Sequence, residues 1–84
     1  MNFGEALEAL KVGSRVARSG WNGKGMFLFL VKPIEIEYKN SLPAQYAEAE
    51  HLESITMKTS DDKIMVGWLA SQTDMLAEDW EIVA

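Results

Sequence analysis

Residues 15–32 read RVARSGWNGKGMFLFLVK and contain two predicted strands with a loop between them. Arg15–Arg18 is predicted to be a short strand whose successive side chains point to opposite faces. Residues 19–25 contain three glycines and one asparagine, which predicts a loop with left-handed backbone positions. Met26–Lys32 is almost wholly apolar, so we expect a strand buried on both faces or against a partner chain.

The segment before this stretch predicts one amphipathic helix over about residues 2–11. Asn2 can cap its start, and Gly13 is a natural stop. Apolar residues recur at helical spacing and form one stripe: Phe3, Ala6, Leu7 and Leu10.

The segment after Pro33 first predicts a half-exposed strand at 34–38, where Ile34, Ile36 and Tyr38 alternate with glutamates. Residues 39–53 fit either a short helix after Pro43 or a loop.

Further along, Ile55–Lys58 and Ile64–Trp68 alternate as strands around a turn at 60–62. Ser71 begins a short helix, and Asp79–Val83 forms a last strand in which Trp80 alternates with Ile82 and belongs to the core. The sum is an α+β fold: an N-terminal helix packed on a mainly antiparallel sheet of about five strands, with a short helix before the last strand.

The length of 84 residues fits a single domain, 1–84, and the hydrophobic fraction of 48% is ample for a core. A domain this short buries only roughly 60–65% of the surface of its unfolded chain, so association with further copies would add stability. The sequence contains no cysteine and no charged-then-apolar leader at Met1–Leu10, which favours the cytoplasm. The longest apolar run, Met26–Val31, is too short to span a membrane.

The net charge of −5 argues against general binding of nucleic acids. The charge is unevenly placed, because residues 11–32 carry five basic residues and no acid, while all 13 acids lie elsewhere. This basic segment indicates a site for a small anion; a solvated basic strand and loop is the alternative.

Catalytic groups are scarce. With no cysteine and a single histidine, His51, a zinc site or a Cys–His pair is almost excluded. A Ser–His–Asp triad is formally allowed, but the sequence has no Gly-x-Ser-x-Gly elbow, and no Walker-type loop is present. The residues therefore predict a protein that is not an enzyme and that needs no cofactor or metal.

The glycine-rich stretch and the arginine before it combine several groups suited to a nucleotide. Arg18 and Lys24 can neutralise phosphate. Trp21 offers a face for stacking a base, Asn22 has both a donor and an acceptor, and glycines such as Gly23 let the backbone approach a ligand. The alternative is a tight turn in which Trp21 covers the core.

Residues 68–75, WLASQTDM, form a second candidate. Ser71 and Asp74 match a capping box, which by itself explains both residues. A helix start also exposes N–H groups that favour an anion, although Asp74 would repel a phosphate and is better suited to a sugar hydroxyl or an amino group. Gln72 and Thr73, in the first turn, are the freer hydrogen-bonding groups.

Three stretches together resemble a family of short phage and prophage proteins that includes the second-described type of Thoeris anti-defence protein: FGEALEAL at 3–10, VARSGWNGKGMFL at 16–28 and WLASQTDMLAEDW at 68–80. Gly67 stands where many members have proline. By this resemblance, ligand contact is expected in both blocks, at the following positions: Arg18, Trp21, Asn22, Gly23, Lys24, Trp68, Ala70, Ser71, Gln72, Thr73 and Asp74.

The resemblance implies that the protein is a sponge. Members of the family bind a glycocyclic ADP-ribose signal made by a bacterial TIR-domain enzyme and do not cleave it, so that the immune effector is never activated. They form homotetramers with ligand pockets between protomers, and some bind cyclic oligonucleotides. Two alternatives stay open: an inhibitor that binds a host defence protein through exposed aromatic residues, and an enzyme that degrades the signal.

Overall fold

The computed structural model describes residues 1–32, 43, 45, 49–50 and 52–83. Its elements in chain order are α1 (Phe3–Lys11), β1 (Arg15–Arg18), β2 (Phe27–Val31), β3 (Ser54–Lys58), β4 (Ile64–Val66), α2 (Gln72–Leu76) and β5 (Trp80–Val83). These five strands form one antiparallel sheet in the order β4-β3-β2-β1-β5. The predicted α+β fold is confirmed. The predicted strand at 34–38, His51 and most of 39–53 lie outside the described residues.

Helix α1 begins one residue later than predicted because Asn2 is its N-cap and has an extended backbone. The Asn2 side chain accepts a hydrogen bond from the Glu5 amide, and the Glu5 carboxylate accepts one from the Asn2 amide, both at 2.9 Å. This capping box satisfies two helix-end donors. The helix buries Ala6, Ala9 and Leu10 and packs on β1, β2 and β5. In the described residues, no helix is long and apolar enough to cross a membrane.

The core lies between α1 and one face of the sheet. Val16, Leu28 and Met57 are neighbours across β1, β2 and β3 and form this face. Because side chains alternate along a strand, Phe27 and Phe29 of β2 point to the opposite face, where they are half-buried. Of the two alternatives predicted for this strand, burial on both faces is therefore confirmed only in part, and burial against a partner chain stays a prediction. The strand is also shorter than the apolar run.

Strand β4 ends at Val66 because the chain bulges at the next residue. The Ile55 carbonyl accepts hydrogen bonds from both the Gly67 and the Trp68 amides, at 3.1 and 2.8 Å, so two residues oppose one. Gly67 has a φ of 84°, the left-handed conformation that such a bulge requires. The extra residue moves Trp68 to the face covered by α1, where it packs against Trp80. The predicted regular alternation along Ile64–Trp68, which would place Trp68 on the same face as Ile64, is therefore wrong at its last residue.

Substitution of Gly67 by alanine is expected to lower the free energy of unfolding by about 1–2 kcal/mol, because an L-residue is strained at this φ. For a domain of this size the melting temperature should fall by roughly 4–8 °C per kcal/mol. Gly4→Ala is the matched control. Gly4 lies inside α1, where an added Cβ meets nothing closer than 3.4 Å. It should stabilise the protein by about 0.5–1 kcal/mol. Equal melting temperatures for the two variants would contradict the role given to the bulge.

Candidate functional site

Three tryptophans meet at the end of the sheet where β1 leads into the loop of residues 19–25, hereafter the glycine loop. We call Trp21, Trp68 and Trp80 the tryptophan cluster. Trp80 is buried and packs edge-to-face with Trp21 at a centroid distance of 5.4 Å and with Trp68 at 6.3 Å. Trp21 and Trp68 also contact each other at 6.3 Å. The prediction that Trp80 belongs to the core is confirmed.

Arg18, at the end of β1, lies between two carboxylates that come from the far end of the sequence. Its Nε donates to Asp79 Oδ1 and its Nη1 to Asp74 Oδ1, both at 2.8 Å. The Trp21 indole Nε1 donates to the same Asp74 oxygen at 3.2 Å, and the Gly20 amide donates to Asp79 Oδ2 at 2.8 Å. These five residues are called the arginine network. It fastens the start of the glycine loop to α2 and β5.

The charges in this network stabilise one another. Hydrogen bonds to Asp79 and then Asp74 raise the pKa of Arg18. The bond from Arg18 lowers the pKa of Asp79 below its usual value. Burial would raise the pKa of Asp74, but the hydrogen bonds from Arg18, Trp21 and Ser71 outweigh burial, so that pKa is lowered too.

These shifts predict acid sensitivity. Because the folded-state pKa values of Asp74 and Asp79 lie below the unfolded value of about 3.9, the stabilisation is complete above about pH 5. It is lost as the pH falls through the folded-state values. We therefore expect the urea midpoint to be constant between about pH 5 and 8 and to be clearly lower at about pH 3. Asp79→Asn should show a smaller fall between the same two pH values, and an equal fall would assign the effect to other carboxylates.

The start of α2 confirms the predicted capping box. The Ser71 hydroxyl accepts from the Asp74 amide at 3.1 Å, and Asp74 Oδ2 accepts from the amide and the hydroxyl of Ser71 at 3.2 and 2.8 Å. Both Asp74 oxygens are thus engaged by protein donors. Gln72 and Thr73 are exposed in the first turn, and Ala70 is half-buried.

A cleft of about 610 Å³ opens beside the glycine loop. Its volume lies in the range of small-molecule sites. Its floor includes Ala17 and Phe27, on the sheet face opposite α1, and its lining contains one block of predicted ligand residues: Arg18, Trp21, Asn22, Gly23 and Lys24. Arg15 lies over the Phe27 ring at 5.0 Å and adds positive charge nearby.

The second block, residues 68–74, does not line this cleft. The structure joins the two blocks through Trp21, which contacts Trp68 by its ring and Asp74 by its indole nitrogen. Ser71 is connected to Trp21 indirectly, through its hydrogen bonds to Asp74. In the part of the chain that the structure describes, no group of three or more His, Cys, Asp or Glu side chains is placed to hold a metal ion.

The second half of the glycine loop is held by the hairpin between β3 and β4. Lys58 Nζ donates to the Gly25 carbonyl at 3.0 Å, and Gly25 has a φ of 74°. A Cβ on Gly23 would lie 2.5 Å from the Met26 sulfur and 2.9 Å from the Ser60 Cβ, so a side chain at this position would have to displace both residues. No local pattern indicates Lys58 as a support of the loop, because the contact joins residues 33 positions apart.

Comparisons with known proteins identify the family of this chain. A family model described as the Thoeris anti-defense 2-like domain matches residues 1–83. This chain belongs to the Thoeris anti-defense 2-like family. A curated relative, Thoeris anti-defense 2 of Bacillus phage SP01, is 49% identical over 86 residues, which cover 100% of this chain and 96% of the relative. The predicted family is confirmed, and with it a role among the Thoeris anti-defence proteins of phages.

Proposed function

We propose that this chain is a sponge that binds and sequesters a glycocyclic ADP-ribose signal in the host cytoplasm without cleaving it, so that the Thoeris effector is not activated. The observation that carries the proposal is the cleft beside the glycine loop, where an indole, a carboxamide and a lysine converge. Trp21 would stack on the adenine, Asn22 would bond a base edge or a ribose hydroxyl, and Lys24 would meet the diphosphate.

The two cationic side chains that line the cleft, Arg18 and Lys24, have different roles in the proposed site. Arg18 has a side chain only 15% exposed and donates to two carboxylates, so its charge is already balanced within the protein. Lys24 is exposed on the rim of the cleft. We therefore assign the phosphate contact chiefly to Lys24, with the amides of the glycine loop, and the shaping of the loop to Arg18.

We propose that the second block, residues 68–74, contacts a ligand held in the cleft of another protomer. A sponge competes with an effector for a scarce signal, and a dissociation constant near 1 nM corresponds to about −12 kcal/mol. The cleft is open on one side, so tight enclosure calls for a second chain. Gln72 and Thr73 are exposed on α2 and available to another protomer's cleft. Exposed apolar residues on β4, the outermost strand among the described residues, support association: Ile64, Met65 and Val66. We propose a homotetramer with pockets between protomers.

No catalytic role is proposed for the cleft. Among its charged lining residues, Arg18 is paired with two carboxylates, which leaves Glu81 and Lys24, and the described lining of the cleft includes no histidine or cysteine to serve as a general base or nucleophile. Binding without cleavage is the function that this chemistry supports best.

Titration calorimetry with purified glycocyclic ADP-ribose isomers tests the proposal. One isomer should bind with a dissociation constant in the nanomolar range, and linear ADP-ribose should bind more weakly because its ends must be ordered on binding. Cyclic di- and trinucleotides, run in parallel, test the other signal class. Lack of binding to every nucleotide, together with capture of a defence protein from host lysate, would favour the direct inhibitor instead.

A further inference from the structure

We propose that Asp79 is a positioning residue that holds the glycine loop in the conformation that binds the ligand. The inference deepens the proposed function and rests on it. Asp79 contacts three successive residues at the start of the loop: its backbone carbonyl accepts from the Ser19 amide at 3.1 Å, its Oδ2 accepts from the Gly20 amide at 2.8 Å, and its Oδ1 accepts from Arg18 Nε at 2.8 Å.

The fit between this carboxylate and the loop is close. A Cβ added to Gly20 would lie 2.6 Å from Asp79 Oδ2, so the absence of a side chain at position 20 is what lets the carboxylate reach the amide. Asp79 itself does not line the cleft. Any effect of Asp79 on binding must therefore act through the residues that it holds, Arg18 and the start of the glycine loop.

The contacts of Asp79 with residues 18–20 form a clamp on the start of the loop. The next residue along the chain is Trp21, the proposed stacking group. A loop with three glycines has many conformations when free, and ordering it on binding would weaken affinity. A clamp at residues 18–20 orders the loop when the protein folds. If only a fraction of the free molecules has the competent loop, the apparent dissociation constant rises by the inverse of that fraction.

Asp79→Asn tests the inference, because the amide keeps the size of the side chain but loses the charge and one acceptor oxygen. For the tightest-binding glycocyclic ADP-ribose isomer we expect the dissociation constant to rise about tenfold or more, as for a competent fraction near one in ten. Most of the change should lie in a slower association rate. In the free protein, hydrogen exchange at residues 19–25 should accelerate, while exchange in α1 stays unchanged.

Two further variants sharpen the result. Gly20→Ala keeps the carboxylate but displaces it, and should reproduce the slower association even if Asp79→Asn folds poorly. Glu8→Gln makes the same chemical change in an exposed ion pair with Lys11 on α1, and should bind like wild type.

The inference would be overturned if Asp79→Asn and Gly20→Ala both accelerate hydrogen exchange in the glycine loop but bind the ligand with wild-type association rates. So would faster exchange throughout the domain with a change only in dissociation, since that pattern marks a purely structural role. These outcomes require that the wild type binds. A wild-type protein that binds no nucleotide would contradict the proposed function first, and this inference with it.

Discussion

Replacement of Trp80 by alanine is expected to remove about 3–5 kcal/mol from the free energy of unfolding. The indole is 2% exposed and packs against Phe3, Trp21 and Trp68, and its Nε1 donates to the Asp74 carbonyl at 2.9 Å. Small domains have only about 5–15 kcal/mol in total. Urea unfolding followed by circular dichroism should therefore show a variant that is largely unfolded or close to it.

Trp80→Phe provides the control for this first substitution. Phenylalanine retains an aromatic ring for the cluster and loses the hydrogen bond to Asp74, so it should cost less than half as much as alanine. If alanine at position 80 lowers the urea midpoint no more than phenylalanine, Trp80 is not the centre of the core that the structure places there.

Trp21→Ala is expected to reduce affinity for the nucleotide signal by about 5- to 150-fold, which corresponds to the roughly 1–3 kcal/mol of one stacked base. Trp21 is only half-buried, and it lines the cleft as well as covering Trp80. Some loss of stability should accompany the loss of binding, but less than for Trp80→Ala. Calorimetry and thermal melting on the same preparation separate the two effects.

Trp21→Phe is the matched variant, because it keeps a flat ring while it removes the Nε1 donor to Asp74. It should retain more affinity than the alanine variant. Unchanged affinity in Trp21→Ala would show that the ring is only a cover for the core. That was the alternative reading of the sequence, and the contact of Trp21 with both Trp80 and the cleft gives the ring a part in each role.

Local patterns predicted the elements of the fold well. The cap at Asn2 and the capping box at Ser71 depend on residues three positions apart, and both were predicted from the sequence; the structure adds Glu5, which completes a capping box at Asn2. The exception is Gly67. Whether a glycine in a strand pattern forms a bulge depends on pairing with a distant carbonyl, here that of Ile55, and so the new orientation of Trp68 could not be predicted from alternation.

The candidate site was predicted as two blocks without the contacts that connect them. Arg18 was expected to offer its charge to a phosphate. In the structure, the Arg18 guanidinium instead pairs with the carboxylates of Asp74 and Asp79, which lie 56 and 61 residues away in sequence. Pairing over such distances follows from β1 lying beside β5 in the sheet, which local sequence does not encode. Ligand contact in both blocks stays a prediction.

Mass spectrometry of the bound small molecule distinguishes sequestration of the signal from its cleavage. The purified protein is incubated with one equivalent of the glycocyclic ADP-ribose isomer that binds most tightly, filtered to remove free ligand, and then denatured by heat. Mass spectrometry of the released small molecule should give the intact cyclic compound in near-stoichiometric yield, and none in the filtrate before heating. Linear or hydrolysed products would show an enzyme, and ligand recovered entirely in the first filtrate would show that this protein is no sponge.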